Sequence, residues 1–243
     1  LIALPMLAAA ETSSKKVSGV TGRLYLDLGY LQSSTRPGNS TWRSKATTST
    51  VDRFKVNNAT LIVQKETSPG SRWGLQAGAQ AGVDIDGLVP SAAVSDAETL
   101  KHLYYTNVSY MFPTGNGLTV TGGLIPGHIG YESFHAIDNP TYTRIYGVDY
   151  VPYFEWGVQA AYPFSDSFDG TLLVINGYDY LSSPNNVPSY GAQLTWLAVE
   201  NAGFRQNFYY GPEQGNTSLE YWRFVSNTLG KWLIGDFVLV GTF

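Results

Sequence analysis

From Trp73 to Asp84 every second residue is apolar or small, and every residue between is polar or glycine. Trp73, Leu75, Ala77, Ala79, Ala81 and Val83 share one face of an extended chain, and Gly74, Gln76, Gly78, Gln80, Gly82 and Asp84 share the other. A period of two over about ten residues specifies a β-strand with one dry face and one wet face. The dry face carries no charge, and similar segments recur along the whole chain. Strands of this length, apolar outward and polar inward, are the units from which a transmembrane β-barrel is built.

The N-terminus fits export. Leu1 to Ala10 is apolar and ends in Ala8-Ala9-Ala10 before Glu11, as in the tail of a secretory signal with a small-x-small cleavage site. A buried N-terminal strand is the alternative. With no initiator Met and no basic leader, the chain reads as starting inside a longer gene product. No other stretch approaches the ~18 uncharged apolar residues of a membrane helix. The expected organisation is a signal-peptide remnant over 1–10, a short periplasmic leader over 11–20 and a barrel over 21–243.

The composition agrees. A chain of 243 residues can form one all-β domain. Tyr 17 and Trp 6 suit strands with interfacial aromatics, and 14% charged residues is low for a surface that meets water everywhere. The mean hydropathy is nonetheless mildly negative, which excludes a helical membrane protein and fits a barrel with a wet interior. Without cysteine there is neither a disulfide nor a thiolate metal site. A formal charge of −4 gives no sign of nucleic-acid binding.

Strands are expected at Gly22 to Gln32, Arg53 to Lys65, Trp73 to Asp84, Tyr104 to Phe112, Leu118 to Ile125 and Tyr153 to Tyr162. Others are expected near 171–179, 190–199, 204–210, 219–228 and 232–243. The second slips register near Asn57-Asn58, as at a bulge. Ala92 to Leu103 can form a helical turn or two. Connections after odd-numbered strands are long or rich in Asn, Pro and Gly, and those after even-numbered strands are shorter, the asymmetry of outer loops and periplasmic turns. A soluble sandwich has no reason to sort its loops by parity. The fold class is therefore all-β, an antiparallel transmembrane β-barrel of about 11–12 strands. Single-chain bacterial barrels have even strand numbers, so the odd count and the missing terminal turn after Trp232-Leu233-Ile234-Gly235 suggest an incomplete C-terminus. The aromatic ending at Phe243 favours the alternative of a complete barrel with one strand miscounted.

Several segments carry a resemblance. Arg53 to Leu61, Trp73-Gly74-Leu75 and Phe112 to Val120 resemble the OmpL-like outer-membrane β-barrel porins, as do Gly130-Tyr131-Glu132, Pro152 to Gly157 and Ile175 to Asp179. The similarity is clear over about 50–180 and looser elsewhere; Tyr178 stands where that family tends to have Trp. The resemblance implies an outer-membrane channel and leaves its solute open.

The chemistry of such a channel is the size and charge of its lumen. Alternation points Arg23, Asp27, Arg72, Gln76, Gln80, Asp84, Glu155, Gln159, Gln193 and Arg205 inward as pore-lining residues, with Arg53 and Lys55 less secure across the register slip. Basic residues stand in strands, whereas Asp86, Asp96, Glu98, Glu132, Asp138, Asp179 and Glu213 sit in loops. A basic wall facing an acidic loop would set a transverse field across the pore; the alternative is that these charges pair and brace the wall. The longest connection, 126–152, carries Tyr142, Tyr146 and Tyr150 at helical spacing around Arg144. Long loops are commonly functional. This one is expected to fold inward as a constriction, with Arg144 at the eyelet; an external flap or an extra strand pair is the alternative.

Other motifs are weak. His102, His128 and His135 lie in loops without metal-ligand spacing and read as surface histidines. Nothing places Asp149 and Glu155 as a glycosidase pair, and no serine has a convincing histidine and acid. The four Asn-x-Ser/Thr sequons carry no meaning in an outer-membrane protein. The expectation is a non-enzymatic porin of a Gram-negative outer membrane, without cofactor or metal. Its partners would be outer-membrane lipid, small hydrophilic solutes and the barrel-assembly machinery, with a homo-oligomer open and no nucleic acid. Rival readings are a structural or adhesive barrel and a secreted carbohydrate-binding domain.

Overall fold

The computed structural model describes residues 19–42, 45–87, 97–178, 185–199, 202–213 and 221–243. The expectations for residues 1–10 and for the leader up to residue 18 lie outside them. Among the described residues eleven strands form one antiparallel sheet in chain order, each paired with its sequence neighbours. They are β1 (Val20–Tyr30), β2 (Phe54–Lys65), β3 (Trp73–Ala81), β4 (Leu103–Phe112), β5 (Leu118–Pro126) and β6 (Phe154–Ser165). They continue as β7 (Phe168–Ile175), β8 (Ser189–Val199), β9 (Ala202–Pro212), β10 (Trp222–Ile234) and β11 (Phe237–Thr242). Among the described residues no helix is long and apolar enough to cross a membrane.

The parity of the connections is regular. Residues 66–72, 113–117, 166–167, 200–201 and 235–236 join strands at one end of the sheet, here the turn end. Residues 31–53, 82–102, 127–153, 176–188 and 213–221 join them at the other, the loop end. The slip near Asn57-Asn58 is a β-bulge: Asp27 pairs with Asn58 and Leu28 with Val56, so Asn57 is extra. Both asparagines consequently lie buried beside Asp27.

The largest difference from the expected strand boundaries lies at the last hairpin. Trp232-Leu233-Ile234 ends β10 rather than opening the last strand, because Gly235-Asp236 is a two-residue hairpin turn with Gly235 at φ 58°. A positive φ at the first turn residue matches the twist of the flanking strands, and glycine supplies it without strain.

The two faces of the sheet differ as the alternation requires. Leu61, Leu75, Leu172 and Trp196 stand exposed on the outer face. Aromatic pairs mark both ends of that face: Trp73 and Tyr110 meet at 4.7 Å at the turn end, and Tyr210 and Trp222 at 4.8 Å at the loop end. Most of the buried apolar residues lie instead at the loop end of the inner side, Leu229 of β10 being an exception. One cluster joins Ile62, Ile85, Tyr104, Leu124, Phe134, Tyr153 and Phe154; a second joins Ile125, Ile129, Leu173, Ile175 and Tyr209. Phe134 and Ile129 belong to the connection 127–153, so that connection packs against the inner wall.

Candidate functional site

The inner wall is banded with side-chain amides. Pairing sets Gln64 against Gln76 and Gln76 against Asn107 on β2 to β4, and sets Gln193, Asn207 and Asn227 in line on β8 to β10. In the second row each amide feeds the next: Gln193 Nε2 donates to Asn207 Oδ1 at 2.9 Å, and Asn207 Nδ2 to Asn227 Oδ1 at 3.0 Å. This row also holds the long loop. Gln193 Nε2 donates to the His128 carbonyl at 3.2 Å, and the Gly130 N–H donates to Asn227 Oδ1 at 3.2 Å.

His128 is the first seat of that loop. Its Nδ1 lies 2.8 Å from Glu155 Oε1, and its Nε2 lies 2.9 Å from the Phe208 carbonyl. Two acceptors at the two ring nitrogens suit an imidazolium, which donates from both. Burial works against that charge, but Glu155 and the carbonyl outweigh it, and the pKa of His128 is raised. Gly191 makes the room, since a Cβ there would come within 2.8 Å of His128 Nε2.

The second seat is a set of buried charges where three connections meet. Lys45 Nζ pairs with Asp149 at 2.8 Å and donates to the Arg144 carbonyl at 2.5 Å. Arg144 is fully buried, donates to the Phe134 carbonyl and lies 3.5 Å from Asp84. The Thr48 amide donates to the other Asp84 oxygen at 2.7 Å. Burial pushes the Asp84 carboxyl up to about 7, against the opposing pull of Arg144 and the Thr48 N–H. Tyr142 donates to Asp27 at 2.7 Å and accepts from Asn57 at 2.7 Å. His135 stacks on Tyr25 and Tyr104 at 4.2 and 4.8 Å and meets the Thr60 hydroxyl at 3.1 Å. Burial, then the charges of Arg144 and Arg23, hold its pKa down at about 3, so it stands neutral.

The residues singled out by alternation divide into two groups. Arg23 and Arg205 are exposed on the inner face, and Arg72, Gln76, Gln159 and Gln193 are half-buried there. Asp27, Gln80, Asp84 and Glu155 face inward but are buried under the loops, so they brace them rather than meet open water. Gln80 Nε2 is spent on the Lys101 and Leu103 carbonyls at 2.9 and 3.0 Å. Asp84 opens a short helical turn, Asp84–Gly87, instead of ending β3.

The long loop departs from expectation in two ways. It contains no continuous helix, only 3-10 turns at Ala136–Asp138 and Tyr146–Tyr150, so its tyrosines form no common stripe. Tyr142 points to Asp27, Tyr150 is 64% exposed, and the side chain of Tyr146 lies outside the described residues. Arg144 is not at an eyelet but in the interior of the loop junction. The loop acids that are described engage mostly loop partners: Asp86 pairs with Lys101 at 2.9 Å, and Glu132 accepts from the Ile145 N–H at 2.7 Å. Asp96, Asp179 and the Glu98 side chain lie outside the described residues.

Sequence reasoning also passed over functional neighbours. His128 and His135 are buried anchors, not surface histidines, while His102 is exposed. The signal was the loop length, since a long connection that folds inward takes its polar residues with it. Gln64, Asn107, Asn207 and Asn227 lie on the polar side of their strands and were recoverable from alternation. Lys45 had no sequence signal, because its partner Asp149 is far along the chain. Among the described residues no group of three or more His, Asp or Glu is placed to hold a metal.

A meander of antiparallel strands with a mostly apolar outer face, a polar inner face and loops sorted by parity defines a porin-like β-barrel protein. The chain belongs to the family described as "Putative beta-barrel porin-2, OmpL-like", whose model matches residues 19–242. No curated protein and no solved structure matches the chain.

Proposed function

We propose that this protein is an outer-membrane porin, a non-enzymatic channel through which small hydrophilic solutes diffuse passively. The observation that carries the reading is the division of the sheet into two chemistries: exposed Leu, Val, Trp and Phe on one face, amides, hydroxyls and arginines on the other. Such a wall suits lipid outside and water inside. Its partners would be outer-membrane lipid, the permeating solutes and the barrel-assembly machinery. Arg23, Arg72 and Arg205 would bias permeation toward anions, and residues 127–153 would narrow the passage at the loop end.

The test is conductance of the purified chain in a planar bilayer, with reversal potential across a salt gradient. Discrete channels with anion preference are the expected result, and cation preference would overturn the role given to the arginines. Removing residues 133–148 should raise conductance without abolishing assembly; an unchanged conductance would place the loop outside the pore.

A second reading has one observation in its favour. Phe134, Arg144 and Glu155 are fully buried at the loop end, which suits a plugged structural or adhesive barrel. An assembled protein that inserts into bilayers yet passes no ions would favour it.

A further inference from the structure

At the turn end of β2 to β4 lies a hollow of about 430 Å³, lined by the polar residues Gln64, Glu66, Thr67, Gln76, Asn107 and Ser109 together with Lys65 and Leu75. That volume lies within the range of small-molecule sites, roughly 300–1,000 Å³. Gly74 helps to open it, because a Cβ at that position would collide with Ser109 Oγ.

The polar atoms here are loosely engaged. Gln76 Nε2 reaches Gln64 Oε1 at 3.4 Å, and Asn107 Nδ2 reaches Gln76 Oε1 at 3.3 Å, both beyond the usual hydrogen-bond range of about 2.7–3.2 Å. Among the described residues, Gln64 Nε2, the Thr67 and Ser109 hydroxyls and the Glu66 carboxylate take no intramolecular partner. Lys65 is different: its ammonium is held by Ser71 Oγ at 2.6 Å and the Trp73 carbonyl at 2.7 Å.

This inventory mixes donors, acceptors and groups that are both. An anion calls for donors alone and a cation for acceptors alone, whereas a sugar hydroxyl both donates and accepts. Glu66 repels anions and accepts from hydroxyls. We propose that the hollow binds a neutral polyhydroxylated solute, a sugar, in transit along the wall. The inference rests on the channel reading and names its solute class. Binding here is weak, because a conducting site must also release its solute.

The experiment titrates the full chain in detergent micelles with maltose, with gluconate and glucosamine as charged comparisons, by isothermal calorimetry. Bilayer conductance in KCl is measured on the same preparation. Saturable maltose binding is expected, weaker for gluconate, and about tenfold weaker in the Gln64→Leu/Gln76→Leu variant through the loss of two hydrogen bonds. If the double variant does not assemble, Gln64→Leu alone should show a smaller loss of the same kind. A parent that conducts KCl but binds no maltose, or binds gluconate more tightly, overturns the sugar site and leaves the channel intact. Maltose binding by a parent that passes no ions does the reverse, removing the channel and leaving the site.

Discussion

The two ends of the inner wall follow opposite rules. On β1, Asp27 at the loop end is 4% exposed, whereas Arg23, two inward positions toward the turn end, is exposed. On β9, Asn207 is fully buried and its inward neighbour Arg205 is exposed. On β6, Glu155 is sealed beneath His128 while Gln159 is only half-covered. The same inward alternation therefore produces a packed polar interior at one end and a wetted wall at the other. What separates them is the loops. Where connections fold back, each inward polar group must find a partner or cost stability; where they do not, water solvates it.

The difference is measurable, and Arg144→Met should produce its largest effect. Removing one member of a buried ion pair strands the other, so the change should cost about 3–5 kcal/mol in chemical denaturation. A shift no greater than that of Arg205→Met would erase the distinction between the ends.

Acid should act through His135. Its folded pKa of about 3 lies below the ordinary value of 6.5, so the folded state binds fewer protons. Its contribution is full above pH 6.5 and is lost as pH falls from 6.5 toward 3. Asp84, raised from 3.8 to about 7, acts in the opposite sense, removing stability as pH rises through that window. The difference between parent and His135→Gln isolates the histidine: the variant should lose less stability on acidification, measured as denaturation midpoints from pH 7 to 4. Identical profiles would mean that His135 is not held neutral.

Within one strand the contrast should narrow but persist. Asn207→Ala breaks the amide row and leaves buried groups unpaired, a cost of about 1–3 kcal/mol. Arg205→Met, two residues away, should change stability by no more than about 0.5 kcal/mol while shifting reversal potential toward cations. Equal destabilisation by the two substitutions would indicate that the wall is packed uniformly along its length.

The wall was legible in the sequence because it repeats a local rule. Trp73 to Ala81 declares its faces by itself, and the slip at Asn57-Asn58 was visible as broken alternation. The β10–β11 boundary was less so: Gly235-Asp236 is two residues long and sits inside an otherwise continuous apolar run. Burial at the loop end was hidden for another reason. Alternation reports which way a side chain points but not what lies above it, so Arg23 and Asp27 look alike in sequence. The partners that cover Asp27, such as Tyr142, come from a loop whose path no local pattern encodes.

The seat of the long loop also orders events in time. Its anchors join residues far apart in the chain: Lys45 to Arg144, Ala46 to Asp149, Tyr142 to Asp27, Tyr25 to Ala136. The strands, by contrast, are paired among the described residues with their chain neighbours and can zip hairpin by hairpin. Contacts of long sequence separation carry a loop-closure cost before they stabilise anything, so they form late. The wall is therefore assembled before the loop docks, and the docked loop acts on the way out rather than on the way in. Substitutions at Arg144 or His135 should speed unfolding and leave the rate of sheet formation nearly untouched. The molecule gains its persistence from the part of the chain that folds last.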